Sequence, residues 1–112
     1  MSSPPIAIID LNALQHNFSR VKELAPNSKI MSVVKANAYG HGLIQSAQAL
    51  KNSDAFAVAR VSEGVRLRKS GTQQPIVILE GAFTQADFEL ASDYDLSLVF
   101  HQLSQIELFT TI

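Results

Sequence analysis

Apolar residues recur along this chain in two alternating rhythms, short continuous runs and stripes at steps of three and four, and the alternation predicts its elements. Ile6 to Ile9 is a short β-like run, after which Asp10 or Asn12 can cap a helix. Leu11, Leu14, Phe18, Val21 and Leu24 fall on one helical stripe, and Pro26 closes that segment. Lys29 to Val34 is β-rich and ends at Lys35. It precedes a predicted helix from about Gly42 to Leu50, with Leu43, Ala47 and Leu50 on one side. Ala55 to Ala59 is the next apolar run; Ser62 is the expected cap of a helix carrying Val65 and Leu67 that stops at Gly71. Pro75 opens Ile76 to Leu79, and Thr84 with Asp87 has the spacing of a capping box before Phe88 and Ala91. Leu96 to Phe100 reads as a further strand, and Leu103, Ile106 and Phe109 mark a last stripe.

This order amounts to about four β/α units. Nearly continuous apolar strands imply a parallel sheet buried on both faces, so the fold class is α/β. Two architectures meet the pattern, an open doubly wound sheet and part of a (β/α)8 barrel. No G-x-G-x-x-G follows any strand, so the dinucleotide-binding open sheet has no positive support. Phe109 to Ile112 stops inside a helical pattern with no glycine cap, and reads as a truncation. The expectation is the N-terminal part of a TIM-like barrel occupying residues 1–112, the remainder lying beyond. Open sheet edges and uncovered apolar faces would then favour self-association.

Composition narrows the function. With 112 residues, 46% hydrophobic and 17% charged, the chain is of ordinary globular type and long enough for one core. A formal net charge of -1 provides no basic field for nucleic acid. The absence of cysteine removes disulfides and thiolate metal sites, and the three histidines lack metal-ligand spacing, so no metal is expected. No apolar run approaches the ~20 residues of a membrane span and the start lacks a signal-peptide pattern, which makes the cytoplasm the default.

Sites in parallel α/β folds lie at the carboxyl ends of strands, and Lys35 stands at such an end. Alternation puts Met31, Val33 and Lys35 on one face, so the ammonium enters the region that Met31 and Val33 line. Desolvation there lowers a lysine's pKa, and a neutral amine can attack an aldehyde carbon to form a Schiff base, the chemistry that pyridoxal phosphate uses. For position alone, a strand-end lysine that snorkels to water is the commoner arrangement.

The surrounding residues decide between them. VVKANAYGHG, from Val33 to Gly42, resembles the cofactor-lysine motif of the alanine racemases. IDLNALQHN, VARVSEGVRLRKSG and PIVILEG resemble the same family in order and spacing across essentially the whole chain. The resemblance implies a pyridoxal 5'-phosphate enzyme of barrel type that interconverts L-alanine and D-alanine, supplying D-alanine for peptidoglycan, and that works as a homodimer. It implies that Lys35 is the catalytic lysine, holding the cofactor covalently and serving as the base on one face. Tyr39 would donate its hydroxyl to the cofactor phosphate, and Gly40 and Gly42 would allow the tight turn into the next helix. It also implies groups beyond Ile112: a tyrosine base from the partner subunit, an arginine near the ring nitrogen, phosphate-binding loops and a basic pair. Without these the 112-residue chain is expected not to racemise by itself. A non-catalytic pyridoxal-phosphate carrier of the same barrel type and a fragment that binds no cofactor are the alternatives.

Other residues carry weaker expectations. His41, at a helix start, suits an orienting or capping role; His16 suits a solvated one; His101 follows a strand without a visible partner. Arg66, Arg68, Lys69 and Glu63 read as a solvated charged face. Glu80 sits at a strand end, where it suits a site, a loop cap or a pair with a lysine. Asn37 suits side-chain bonding within the Lys35 loop.

Overall fold

The computed structural model describes residues 11–34 and 41–100. Helices and strands alternate as α1 (Leu11–Leu24), β1 (Met31–Val33), α2 (His41–Ala49), β2 (Ala55–Val58), α3 (Val61–Lys69), β3 (Ile76–Ile78), α4 (Gln85–Asp93) and β4 (Ser97–Leu98). The strands form one sheet in the order β1-β2-β3-β4, every pair parallel. Each strand therefore pairs with the one that follows it in the chain, as in a (β/α) barrel opened out. The expected run at Ile6 to Ile9 and the stripe at Leu103, Ile106 and Phe109 lie outside the described residues.

Register fixes which side chains share a face, because paired residues of parallel strands point the same way. Phe56 opposes Ile76, and Val58 opposes Ile78, on the side that the helices cover. There they pack with Leu43 and Ala47 of α2, Val61 and Leu67 of α3, and Phe88 and Ala91 of α4. Phe56, Leu43, Leu67, Ile76 and Ile78 are the largest fully buried side chains. Each supplies about 1.5–3 kcal/mol of transfer free energy. Gly64 lets α3 sit close on the sheet: a Cβ at this position would lie 2.8 Å from Ile78 Cδ1 and 3.0 Å from Leu96 Cδ1.

The opposite face corrects the expectation of burial on both sides in part. Met31 is 49% exposed and Val33 53%, and Leu79 is exposed as well, while Ala57 in the middle of that face is fully buried and Val77 half-buried. Among the described residues no second layer covers this side, which in a closed barrel is the interior. The α1 stripe also thins toward its end: Leu14 and Phe18 are half-buried, but Val21 and Leu24 are exposed.

Helix ends follow local chemistry, with one correction. α3 begins at Val61, one residue before the expected cap Ser62, because Glu63 Oε1 accepts the backbone N–H of Arg60 at 2.9 Å and of Ala59 at 3.1 Å. Gly71, at φ 104°, closes the helix in a Schellman motif: Thr72 N donates to Leu67 O at 3.1 Å and Gly71 N to Arg68 O at 3.0 Å. At α4 the Thr84 hydroxyl accepts from Asp87 N at 3.1 Å, as its spacing predicted, while Asp87 Oδ2 accepts from Phe83 N at 3.3 Å. The helix ends in a second Schellman motif, with Leu96 N on Ala91 O at 2.8 Å. Here the left-handed position is held by Asp95, at φ 54°.

Candidate functional site

The parallel strands deliver Val34, Ala59 and Glu80 to one edge of the sheet, and backbone pairing continues up to that edge. Val34 N donates to Ala57 O at 2.8 Å, Leu79 N to Val58 O at 2.8 Å and Glu80 N to Ala59 O at 2.9 Å. Val34 is 3% exposed, and Gly42 and Leu43, where α2 begins, are buried. The described chain is thus buried and hydrogen-bonded at residue 34, and buried again at Gly42 and Leu43. Lys35, Asn37, Tyr39 and Gly40 lie outside the described residues, as does His101; His41 is the first residue of α2. Val33, two residues before Lys35 in the chain, is among the more exposed apolar residues, so the described frame is open on that face.

Farther along the same edge a cleft of about 340 Å³ is lined by Arg60, Val61, Ser62, Glu80, Phe83 and Asp87, among others. Glu80 meets an arginine there, not a lysine: Arg60 Nε stands 3.7 Å from Glu80 Oε1, with both side chains more than half exposed. Such a pair is worth about 0–1 kcal/mol and leaves both groups accessible.

The basic face of α3 differs from the expected solvated stripe. Arg66 and Lys69 are exposed, Lys69 lying 6.0 Å from the centroid of the Tyr94 ring. Arg68 instead binds backbone carbonyls of two separate turns. Its Nε donates to Tyr94 O at 2.8 Å, Nη1 to Thr72 O at 2.9 Å and Gln74 O at 2.7 Å, and Nη2 to Asp95 O at 3.0 Å. It ties the end of α3 to the entrance of β3 and to the end of α4. His16 is exposed on α1, in keeping with a solvated role.

At the opposite, amino-terminal edge stands a polar cluster that residue patterns did not single out. Ile30 N donates to Asp54 Oδ2 at 2.6 Å, and Asp54 N returns a bond to Ile30 O at 2.8 Å. The Ser32 and Ser53 hydroxyls are 2.6 Å apart, and Ser53 is 4% exposed. Gln74 Nε2 donates to Lys51 O at 2.7 Å and lies 3.4 Å from Ser53 O. The one signal in the sequence was the Ser53-Asp54 pair directly before an apolar run, where short polar side chains bond nearby backbone.

Residues 9–112 match the family described as the alanine racemase N-terminal domain. The alanine racemase of Nitrosococcus oceani is 48% identical over 108 residues, covering 96% of this chain and 30% of that protein. The biosynthetic alanine racemase of Salmonella typhimurium is 50% identical over 99 residues, covering 88% of this chain and 28% of that protein. Among solved structures, alanine racemase from Acinetobacter baumannii superposes with a TM-score of 0.80 at 46% identity, over 92% of this chain and 31% of that one. The biosynthetic enzyme of Pseudomonas aeruginosa gives 0.81 at 38% identity, over 90% and 28%. The chain spans less than a third of the length of these relatives. The four parallel strands alternating with helices are therefore the N-terminal part of a TIM-like barrel, and the chain belongs to the alanine racemase N-terminal domain family.

Proposed function

We propose that this chain is the amino-terminal portion of a pyridoxal-phosphate-dependent isomerase that interconverts L-alanine and D-alanine, with Lys35 and Tyr39 as its contribution to the site. The observation that carries the reading is the coincidence of a family match over residues 9–112 with a lysine following directly on the buried, hydrogen-bonded end of β1. The residues present suit the cofactor. Met31 and Val33 leave an apolar, open wall on the strand face that alternation assigns to Lys35, and the lysine amine and the Tyr39 phenol are the donors that an aldehyde and a phosphate require.

Lys35 would hold the cofactor through its amine and, once the substrate's amine has taken its place there, would be free to take or return the α-proton on one face. Tyr39 would orient the cofactor by donating its hydroxyl to the phosphate. Pyridoxal phosphate, when bound, delocalises the electron pair left at the α-carbon. Racemisation needs a second base on the opposite face, which the family resemblance assigns to a tyrosine of a partner subunit in a homodimer. By itself the 112-residue chain is inactive on this reading, and it self-associates through its open face. The whole enzyme serves D-alanine supply for peptidoglycan in the cytoplasm.

The test is direct. The chain is incubated with pyridoxal phosphate, reduced with borohydride and digested, and peptide mass spectrometry identifies the modified lysine. The adduct is expected on Lys35 and is lost in Lys35→Ala. No adduct at Lys35 sinks the cofactor assignment. Appreciable conversion of L-alanine to D-alanine by the isolated chain refutes the claim that essential groups lie elsewhere.

A further inference from the structure

The strand that leads to Lys35 is poorly specified by its own apolar residues. β1 has only three ladder residues, of which Met31 and Val33 face the open side and Ser32 the helices. Register is strongly set where a strand buries an apolar face, and here Val34 alone does so. A slip of one residue against β2 would exchange the two faces. A slip of two would carry every residue about 6.6 Å along the strand.

The polar cluster at the amino end of β1 opposes both slips. The two bonds between Ile30 and Asp54 join backbone and carboxylate of one residue to the backbone of the other, a pairing that a one-residue slip breaks by turning the N–H and C=O away; against a two-residue slip, which offers the same backbone groups, the side-chain pair of Ser32 and Ser53 decides. In that register the Ser32 hydroxyl meets Ser53 at 2.6 Å; any other leaves the Ser53 hydroxyl, in a nearly inaccessible position, to find another partner. Gln74, at the entrance of β3, bonds the turn that carries Ser53 from the other side. We propose that Asp54, with the Ser32–Ser53 hydroxyl pair, is the register lock of β1 and thereby a positioning element for Lys35; the second half rests on the reading of Lys35 given above. The cluster lies at the strand end remote from Lys35, so it acts through the strand.

Amide hydrogen exchange tests the lock. In Asp54→Ala the Val34 N–H, bonded to Ala57 O, is expected to exchange about tenfold faster relative to the Leu79 N–H, bonded to Val58 O. Asp54→Asn keeps an acceptor for Ile30 N and holds the ratio near wild type. Thr84→Ala, which removes the α4 cap, leaves it unchanged. Ser53→Ala, which deletes only the hydroxyl pair, gives a change of about threefold in the same direction and serves if Asp54→Ala does not fold. Equal acceleration of both amides in the Asp54 and Ser53 variants overturns the lock. The borohydride-trapped adduct on Lys35 tests the positioning role. Its yield is expected to fall about tenfold in Asp54→Ala, recover in Asp54→Asn and stay constant in Thr84→Ala. A constant yield in Asp54→Ala alongside faster Val34 exchange overturns that role. If wild-type Lys35 takes no adduct, the cofactor reading and the positioning role fail together, while the exchange ratio still judges the lock.

Discussion

Replacing Arg68 by Met keeps most of the side-chain stem but deletes the guanidinium and its four bonds to the carbonyls of Tyr94, Thr72, Gln74 and Asp95. Hydrogen bonds to a charged donor contribute about 1.5–3 kcal/mol each. The simple sum overstates the loss, because Arg68 is only half-buried and water can reach some of the released carbonyls, that of Asp95 first. Counting the two shortest bonds at the lower figure and discounting the other two gives about 3 kcal/mol. For a chain of about 100 residues this is a fall in melting temperature of about 12–24 °C. The assay is thermal and urea unfolding of the 112-residue chain, followed by circular dichroism at a concentration where its association state is constant. Arg68→Lys should recover less than half of the loss, since one ammonium cannot span carbonyls that approach the planar fork from two different turns. A loss below about 1 kcal/mol in Arg68→Met would refute the reasoning and return Arg68 to the solvated face its spacing suggested.

Two further substitutions probe the frame in opposite directions. Asp95→Gly is expected to stabilise the chain by about 0.5–1 kcal/mol in urea unfolding, because glycine takes the left-handed C′ position without the Cβ penalty; destabilisation would mean that the Asp95 side chain matters more than its backbone angle. Gly64→Val should destabilise by about 1–3 kcal/mol in the same assay, since its Cβ alone would already meet Ile78 and Leu96 at less than contact distance; a neutral result would mean that α3 moves outward freely.

The parts of this fold that could be read in advance are those whose cause lies within a few residues. Gly71 ends α3 because its own backbone adopts φ 104°, and Thr84 begins α4 because Asp87 N lies three residues on. The face shared by Phe56 and Val58 follows from alternation alone. Arg68 was misread because its partners lie up to 27 residues away and are backbone carbonyls, which no side-chain pattern reports. Asp54 was missed for the same reason, its partner Ile30 being 24 residues earlier. The cap of α3 was shifted by Glu63, whose carboxylate reaches two N–H groups and outcompetes the serine suggested by propensity. At the candidate site, Lys35 is proposed from its place after an apolar run and its motif, and it lies outside the described residues. The openness of the face carrying Met31 and Val33 was not legible, since burial depends on what stands across the sheet.

The sheet order bears on how such a chain comes into being on the ribosome. β1, β2, β3 and β4 are neighbours in space in the order in which they are translated. Each β/α unit can dock on the edge left by its predecessor as soon as it emerges, and the described ladder never waits for a strand encoded much later. Stalled or shortened translation products would then keep a native-like amino-terminal layer, with the unfinished edge always the most recently made.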